Sequence, residues 1–488
     1  MHKLNHPKLL KTDSFINGKW ISKSQTFEVK NPADGTIIAT VADMGKAEAK
    51  EAIDGAHQAF QTWSEVSAKE RGEILKKWDA LITEHWDDLS TILTLETGKP
   101  LEQSTHELMG CSGFLNWYSA ECRRVQGYIP ISPDPNRRFK AISQPVGVVG
   151  VITPWNFPSV IPIQKCAPAL AAGCTVILKP AEDTPLSALA HAYLAEKAGI
   201  PPGVFNVLAC KDPKEVGDEL TSNRHVRKVS FTGSTGVGKL LLEKASKTVK
   251  NTTMELGGNC PVIIFEDANL DLAAEQTFWF KMYNAGQCCN NINRFILHKN
   301  VYEPFVEKYL KMIQKHALLG FGIDPKTAVG PLINEQGISK VEELVNDALS
   351  LGAKALIGGK KADKKGPLFF EPTLLTEMHP KMRMYREEIF GPVAACYRFS
   401  TEQEAITMAN ETDYGLASYF FTENIGRSYR VAEKLEAGAI GVNTCDVVSE
   451  VLPFGGWKES GLGRENGLVG SMDPFLEKKA IIVAGIDH

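Results

Sequence analysis

The sequence predicts an α/β protein in which two domains each contain a mainly parallel β-sheet. From Gly147 onward, continuous apolar segments of strand length alternate with helix-like segments, and a second alternating block runs from Val262 to about Val442. Strands that are buried on both faces read as unbroken apolar runs, and parallel sheets carry helices on both faces. The 488 residues are enough chain for several domains with a large core.

The chain ahead of the first sheet is predicted to form two hairpins and then a set of helices. Asn17-Gly18 and Asp34-Gly35 lie between strand-like runs, and both dipeptides are typical of two-residue hairpin turns with positive φ. Between positions 47 and 125 the apolar residues recur at helical spacing, with a break at Gly98-Lys99-Pro100. We expect these amphipathic helices to cover a sheet.

Seven parallel strands are predicted in the two domains, at 148–152, 175–178, 204–208, 229–231, 262–265, 295–298 and 439–443. Ligands of such sheets bind beyond the carboxyl ends of the strands. Segments with unusual polar and glycine residues follow three of the strands, at 154–158, 179–182 and 232–236. We therefore expect one crevice to collect these segments.

Composition narrows the classes of partner. A formal net charge of −4 argues against nucleic acid and anionic membranes. The longest apolar stretch, at 146–155, is shorter than the roughly 18 residues of a spanning helix, and the first residues lack an apolar signal core, so a cytoplasmic location is expected. Ten cysteines follow no framework spacing, and no Cys-x-x-Cys or His-Glu-x-x-His pattern occurs, so reduced thiols and no metal site are expected.

Two short motifs point to covalent chemistry on sulfur. Gly286-Gln287-Cys288-Cys289 places a cysteine beside a polar turn, and Glu255-Leu256-Gly257-Gly258-Asn259 places a carboxylate at a strand end upstream. A thiolate attacks carbonyl carbon, and a nearby carboxylate can activate the water that releases the acyl group. A single cysteine is more often a small buried apolar residue. The two motifs together favour a thiol nucleophile and hydrolysis.

A nucleotide site is indicated by two further segments. The stretch 233–238, Gly-Ser-Thr-Gly-Val-Gly, follows a strand and precedes a helix, so its free amides can hold a pyrophosphate, although its spacing is not G-x-G-x-x-G. A capped strand-to-helix turn is the alternative. A carboxylate at Glu182, after Lys179, can accept hydrogen bonds from ribose hydroxyls and repel a 2′-phosphate, which favours NAD over NADP. A solvated loop charge is the alternative there.

Six motifs in order resemble the aldehyde dehydrogenase superfamily, and the overall pattern is most similar to its succinate-semialdehyde dehydrogenases. The motifs are Pro154-Trp155-Asn156-Phe157-Pro158, Phe231-Thr232-Gly233-Ser234-Thr235, Glu255-Leu256-Gly257-Gly258-Asn259, Gln287-Cys288-Cys289, Glu388-Ile389-Phe390-Gly391-Pro392 and Pro453-Phe454-Gly455-Gly456. The resemblance implies a Rossmann-type NAD-binding domain at 1–126 and 146–256, a catalytic α/β domain at 257–456, and a β oligomerisation arm at 127–145 and 470–488. It also implies a homodimer or homotetramer, with arm strands at 137–144 and 478–483.

The resemblance assigns roles to individual residues. Cys289 is the implied nucleophile, Asn156 and the Cys289 backbone N–H hold the oxyanion, and Glu255 is the general base. Implied cofactor contacts are Trp155, Lys179, Glu182, Gly233, Ser234, Glu388 and Phe390, with the lysine and Glu182 at the adenosine ribose, Glu388 at the nicotinamide ribose and Phe390 beside the nicotinamide. Cys288 has no implied role.

The substrate side departs from the semialdehyde pattern. Gln164 and Tyr283 stand where that subfamily carries arginines for the substrate carboxylate, and a desolvated anion without a partner is costly. The predicted substrate pocket consists of Phe157, Gln164, Trp279, Tyr283 and Leu452. The leading prediction is oxidation of succinate semialdehyde to succinate, and the alternative is a neutral aliphatic, aromatic or hydroxylated aldehyde. Transfer to coenzyme A, which needs no general base, and a catalytically silent scaffold protein are rival functions.

Overall fold

The computed structural model describes residues 4–485. The strands are β1 (Ser14–Ile16), β2 (Lys19–Ile21), β3 (Thr26–Lys30), β4 (Ile37–Ala42), β5 (Arg137–Pro145), β6 (Val148–Ile152), β7 (Thr175–Lys179), β8 (Phe205–Val207), β9 (Val226–Thr232), β10 (Asn251–Glu255), β11 (Cys260–Ile264), β12 (Ile292–His298), β13 (Lys354–Ile357), β14 (Thr373–Thr376), β15 (Val393–Phe399), β16 (Tyr414–Gly415), β17 (Ala417–Phe421), β18 (Ala439–Val442), β19 (Trp457–Lys458), β20 (Gly461–Leu462) and β21 (Leu476–Ala484). The α-helices are α1 (Lys46–Trp63), α2 (Ala68–Glu84), α3 (Trp86–Thr97), α4 (Leu101–Glu121), α5 (Val160–Ala172), α6 (Leu186–Ala198), α7 (Pro213–Ser222), α8 (Thr235–Ser246), α9 (Leu270–Met282), α10 (Tyr302–His316), α11 (Glu335–Ser350), α12 (Glu402–Asn410) and α13 (Ile425–Lys434).

The first sheet has eight strands in the order β2-β1-β8-β7-β6-β9-β10-β20. Its five central strands, from β8 to β10, run parallel, and the outer strands β1, β2 and β20 are antiparallel to their neighbours. All five residues of β6 and of β7 are buried, as the unbroken apolar runs predicted. The edge strand β20 comes from the far end of the chain and pairs directly with Glu255 through Gly461.

The second sheet has seven strands in the order β13-β14-β15-β12-β11-β17-β18, and only the β13–β14 pair is antiparallel. Its apolar core is separate from the core beneath the first sheet, since the buried residues of the two sheets form different clusters. The predicted α/β class with two mainly parallel sheets is therefore confirmed. The division into cofactor and catalytic domains at residue 257 stays a prediction.

One of the two predicted hairpin turns is correct. Asn17 and Gly18 join β1 to β2 with φ values of 51° and 77°, as a two-residue turn requires. The Asp34-Gly35 prediction was wrong in length, because a six-residue loop at 31–36 joins β3 to β4 and only Gly35 has positive φ there. Asp34 Oδ1 instead accepts the N–H of Thr36 at 2.9 Å, so the side chain stabilises a longer loop.

The periodicity between 47 and 125 correctly predicted helices, of which α1 packs directly on β6 and β7, whereas α2, α3 and α4 pack on one another and on α5 and α6. α3 ends at Thr97 and α4 begins at Leu101, so Gly98-Lys99-Pro100 does break the helical segment. Gly98 has a φ of 78° and ends α3 in the left-handed conformation that favours glycine. In residues 4–485 no helix combines the length and apolar character needed to cross a membrane.

A separate two-stranded ribbon consists of β5 and β21. The strands pair antiparallel along their whole length, from Arg137 opposite Ala484 to Pro145 opposite Leu476. The predicted arm strands at 137–144 and 478–483 therefore exist and pair with each other within one chain. Large apolar side chains next to this ribbon are exposed, including Ile129 at 83% and Ile131 at 97%.

Candidate active site

A strained turn presents Cys289. After α9 the chain forms a short 3-10 helix, Tyr283–Gly286, in which Asn284, Ala285 and Gly286 have φ values of 49°, 53° and 77°. The left-handed conformation costs an L-residue roughly 1 kcal/mol or more, so neighbouring contacts must hold this turn. A Cβ on Gly286 would lie 2.1 Å from the carbonyl oxygen of Gly391, so only glycine fits there.

Two glutamine side chains hold the turn in place. Gln287 Nε2 donates to the Asn284 carbonyl at 3.0 Å, and its Oε1 accepts the N–H of Ile333 at 3.0 Å. Gln103 Oε1, from α4, accepts the N–H of Asn284 at 2.8 Å. The turn is thus held by α4 on one side and by the segment before α11 on the other, which orients the cysteine that follows it.

Asn156 lies directly against this turn. It is buried, its Nδ2 donates to the Gln287 carbonyl at 3.0 Å, and its own carbonyl accepts Asn284 Nδ2 at 2.9 Å. The amide group has a second N–H, and the Cys289 backbone N–H donates to no acceptor in the described part of the chain. Asn156 Oδ1 has no hydrogen-bond partner among residues 4–485. The second N–H of the Asn156 amide and the Cys289 N–H are therefore the donors that remain for the predicted oxyanion role.

Glu255 ends β10 and is 3% exposed, and neither of its carboxylate oxygens has a hydrogen-bond partner among residues 4–485. Gly455 lies beside it with a φ of 154°, and a Cβ there would lie 2.8 Å from Glu255 Oε1. Burial raises the pKa of Glu255 well above its ordinary value, and the negative charge of Glu465 raises it further, while Lys165 and Arg464 oppose the shift. A buried carboxyl with a raised pKa and no partner is suited to taking a proton from water.

The negative charge of Glu255 also acts on the sulfur of Cys289. Burial is the largest cause of a pKa of Cys289 well above its ordinary value, and the charges of Cys288, Glu388 and Glu255 act in the same direction. The Cys289 side chain is itself only partly buried, and a base or added positive charge would favour its thiolate. Cys288 points elsewhere, since its sulfur contacts the carbonyl of Tyr283 at 3.8 Å.

The predicted pyrophosphate site is the open start of α8. Ser234 caps the helix by accepting the N–H of Val237, and the first turn is exposed. A Cβ on Gly236 would meet nothing within 4 Å, so the backbone amides there are open to a ligand. Because the start of a helix carries free N–H groups and partial positive charge, this segment fits the pyrophosphate of a dinucleotide.

Lys179 and Glu182 lie together at the carboxyl end of β7. Lys179 Nζ is 3.6 Å from Glu182 Oε2, and the lysine side chain is 4% exposed while that of the glutamate is 34% exposed. Lys179 Nζ also donates to the Pro180 carbonyl at 3.0 Å. The glutamate is thus a partly exposed, oriented acceptor beside a buried cation, which fits recognition of ribose hydroxyls.

Glu388, Phe390 and Trp155 lie between the two sheets, close to the nucleophile. Glu388 Oε1 accepts the N–H of Gly258 at 2.9 Å, and a Cβ on Gly258 would lie 2.4 Å from the Cys289 carbonyl oxygen. Burial raises the pKa of Glu388. Phe390 has a φ of 56°, and its ring meets the Trp155 ring edge to face at 5.5 Å.

The five predicted substrate residues are not all in mutual contact. Phe157 and Tyr283 stack with centroids 5.9 Å apart, next to Asn156 and the nucleophile turn. Gln164 Nε2 donates to Asn466 Oδ1 at 3.4 Å. Trp279 is 47% exposed and packs against His316, and Leu452 is 57% exposed. The structure thus brings one aromatic pair to the cysteine and leaves the pocket roles of the other three as predictions.

Two buried ion pairs at the site were missed from the sequence. Lys99 pairs with Glu107, and Lys165 pairs with Glu465. Lys165 had a detectable signal, because it is the only charged residue in the mainly apolar and almost wholly buried helix α5. Lys99 had none, since it lies in a segment that looked only like a helix break.

Comparisons with known proteins agree with this geometry. The sequence profile described as the aldehyde dehydrogenase family matches residues 20–481. The human mitochondrial succinate-semialdehyde dehydrogenase is 47% identical over 480 residues, which is 98% of this chain and 89% of that protein. The 3-sulfolactaldehyde dehydrogenase of Pseudomonas putida is 47% identical over 490 residues and covers 100% of both chains.

Among solved structures, the crystal structure of an E. coli NADP-dependent enzyme superposes with a TM-score of 0.97 at 44% identity, covering 99% of this chain and 100% of that one. These likenesses extend over both sheets and the segments around Cys289 and Glu255. They exclude the reading of the chain as a catalytically silent scaffold. The chain belongs to the aldehyde dehydrogenase family and is an oxidoreductase that acts on aldehydes.

Proposed function

We propose that this chain oxidises an aldehyde to its carboxylic acid with NAD, through an acyl group carried on Cys289 and hydrolysed by Glu255. The observation that carries the proposal is the buried carboxylate of Glu255, neither of whose oxygens has a hydrogen-bond partner among residues 4–485 and whose charge raises the pKa of Cys289. Transfer to coenzyme A would not use this base, so a water nucleophile is favoured over a thiol acceptor.

Different residues carry out the successive steps of the reaction. The Cys289 thiol gives its proton to solvent as its sulfur bonds to the aldehyde carbon, and the Asn156 amide and the Cys289 N–H stabilise the oxygen that becomes negative. The start of α8 together with Lys179, Glu182 and Glu388 would hold NAD, which when bound supplies the acceptor for the hydride that the carbon loses as the thioester forms. Glu255 then removes a proton from water as its oxygen bonds to the carbonyl carbon, the carbon–sulfur bond breaks, and the acid leaves with the thiol restored.

The first test concerns the cofactor. Glu182→Ala should change the ratio of kcat/KM for NAD to that for NADP by about 10- to 100-fold towards NADP, because a charge-assisted hydrogen bond to ribose and a repulsion of the 2′-phosphate are both lost. Initial rates with each cofactor measure the ratio. Glu182→Gln is the matched control, since it removes only the charge and should shift the ratio in the same direction by less. An unchanged ratio would remove Glu182 from the ribose site.

Succinate semialdehyde is the first candidate substrate, because the human relative is named for it. A neutral aldehyde is the second candidate, because Gln164 and Tyr283 carry no charge and the buried lysines nearby, Lys99 and Lys165, each have a carboxylate partner. No free buried cation therefore faces a substrate anion in the part of the site that these residues form. Binding a substrate whose anionic group is desolvated without such a partner costs several kcal/mol of binding free energy. This cost lowers kcat/KM on the order of a thousandfold.

A kinetic panel decides between the candidates. We propose comparing succinate semialdehyde, 3-sulfolactaldehyde, butanal and 4-hydroxybutanal, each with NAD, with and without coenzyme A. Preference for the two neutral aldehydes would support the second candidate, and preference for succinate semialdehyde would support the first. The Gln164→Arg/Tyr283→Arg double variant is the control, since added cations should improve kcat/KM for anionic aldehydes only. A rate that requires coenzyme A would contradict the role of Glu255.

The pH dependence should follow the raised pKa of Glu255. A base acts only when ionised, so the hydrolysis rate should fall as the pH falls through a pKa well above the ordinary carboxyl value. Glu465→Gln removes the neighbouring negative charge, which lowers the pKa of Glu255 and should move this acidic limb to lower pH. Steady-state kcat from pH 5 to 9 measures the limb. A limb that does not move in the Glu465→Gln variant would contradict the coupling between the two carboxyls.

We also propose that the chain assembles as a homodimer or homotetramer through the β5–β21 ribbon. The exposed edges of a two-stranded ribbon and the exposed apolar side chains of Ile129, Ile131 and Ile482 favour coverage by another copy. Light scattering of the purified protein measures its mass. A monomer at micromolar concentration would contradict the proposal.

A further inference from the structure

Lys99 and Glu107 form an ion pair in the interior of the first domain. Lys99 Nζ lies 2.6 Å from Glu107 Oε2, and both side chains are 0% exposed. Burying two charges costs several kcal/mol per ion before the pair forms, and apolar replacements of such pairs are often as stable. Stability alone therefore does not account for this pair, and its other contacts indicate a role.

Those contacts all fall on the loop that carries Asn156. Lys99 Nζ donates to the Asn156 carbonyl at 2.7 Å and lies 4.2 Å from the centroid of the Phe157 ring. Glu107 Oε1 accepts the N–H groups of Ser159 at 2.8 Å and Val160 at 3.1 Å. The ion pair thus binds the loop at both ends, by a carbonyl at one end and by two amides at the other.

The same loop is bonded to the nucleophile turn. The Asn156 carbonyl that receives Lys99 also receives Asn284 Nδ2, and Asn156 Nδ2 donates to the Gln287 carbonyl. One of the two N–H groups of the Asn156 amide is therefore committed, and its bond fixes where the other one points. A shift of Lys99 changes the position of Asn156 relative to Cys289.

We propose that the Lys99–Glu107 pair is a positioning device that holds the Asn156 amide at the oxyanion site. The inference rests on the proposed function, because it assigns the pair no contact with substrate or cofactor and an effect only through Asn156. Displacing a catalytic group by about 1 Å can lower the rate about 100-fold. Preorganised donors stabilise developing charge only where the surrounding structure fixes them, and buried charge-assisted hydrogen bonds are suited to that task.

A double-mutant cycle tests the proposal. Lys99→Met should lower kcat/KM about 100-fold in the otherwise unchanged enzyme, and less than about 3-fold in the Asn156→Ala background, where there is no amide left to position. Glu107→Gln keeps an acceptor for the Ser159 N–H and should give a smaller loss, about 10-fold, that also disappears in the Asn156→Ala background. The dissociation constant for NAD should stay unchanged in every variant.

A matched control separates positioning from loss of fold. Glu96 is 0% exposed and accepts the N–H groups of Leu186 at 2.8 Å and Ser187 at 2.9 Å, as Glu107 does for its own loop. Glu96→Gln should lower the Tm by a similar amount to Glu107→Gln while changing kcat/KM by less than about 3-fold. If Lys99→Met does not fold, the Glu107→Gln cycle alone tests the proposal.

The possible results distinguish failure of the positioning role from failure of the proposed function. Losses from Lys99→Met or Glu107→Gln that are equally large in the Asn156→Ala background would overturn the positioning role and leave a purely structural one. Equal kcat/KM losses from Glu96→Gln and Glu107→Gln would overturn it as well. If the unmodified enzyme oxidises no aldehyde, or if Asn156→Ala is fully active, the proposed function fails instead, before the ion pair is tested.

Discussion

Cys289→Ser should abolish turnover, with kcat lowered at least about 10⁴-fold, while NAD still binds. A serine hydroxyl is far less acidic than a thiol, and the structure offers no strong base in hydrogen-bond contact with this position. Lys179, Glu182 and the start of α8, which fit the adenosine and pyrophosphate parts of the cofactor, follow strands of the first sheet, whereas Cys289 follows the turn after α9. The nucleotide contacts should therefore survive the substitution.

Two measurements check this result. Steady-state NADH production gives the loss of turnover, and calorimetric titration with NAD gives the dissociation constant, which should change less than about twofold. Cys288→Ser is the control, because the Cys288 side chain is buried and turned towards the Tyr283 carbonyl. Equal loss of activity in both serine variants, or loss of NAD binding in Cys289→Ser, would contradict the assignment of the nucleophile.

Glu255→Gln should separate the two halves of the reaction. Oxidation of the aldehyde needs sulfur and a hydride acceptor, but hydrolysis of the thioester needs a base for water. The glutamine variant should release one NADH per active site and then stall, with the steady-state rate lowered about 10²- to 10⁴-fold. Glutamine is nearly isosteric with glutamate, so the contact with Gly455 is retained.

Stopped-flow absorbance and intact-protein mass spectrometry record both phases. The acylated peptide should contain Cys289 and should persist in Glu255→Gln for much longer than in the unmodified enzyme. Loss of the burst itself would show that Glu255 acts before the thioester forms. An unchanged steady-state rate would mean that another group activates water.

The sequence predicted the central strands of the first sheet, but in the second sheet it predicted β11, β12 and the edge strand β18 and missed the inner strands β14, β15 and β17. The run at 148–152 became β6 with the same limits, because a strand buried on both faces needs unbroken apolar residues. β10 contains Asn251, Thr252 and Thr253, and β20 has only two residues, so neither had a periodic signal. A strand without an unbroken apolar run is placed by the segments that it meets in space, and short-range patterns do not encode those.

The residues of the site were likewise predicted only where a local motif marked them. Cys289 and Glu255 were identified because each lies in a short motif whose residue types carry a known chemistry, and Asn156 was identified through the resemblance to the family. The turn that orients Cys289 was not predicted, since Asn284 and Ala285 adopt a left-handed conformation that their own preferences disfavour. Lys165 and Glu465 are 300 positions apart, and only the folded chain makes them neighbours.

The pairing of β20 with β10 also governs when the enzyme matures. Ser460 Oγ donates to the carbonyl of Gly257, 203 positions earlier, at 2.7 Å, and Gly461 pairs with Glu255 itself. Ribosomes add roughly 5–20 residues per second and domains fold as they emerge, so both sheets can largely form while the chain is still being made. The residues that enclose the water-activating carboxylate are therefore made about 200 positions after it. Cys289 and its turn are made before these residues, so catalytic competence requires that 455–461 pack against a sheet that has already begun to form.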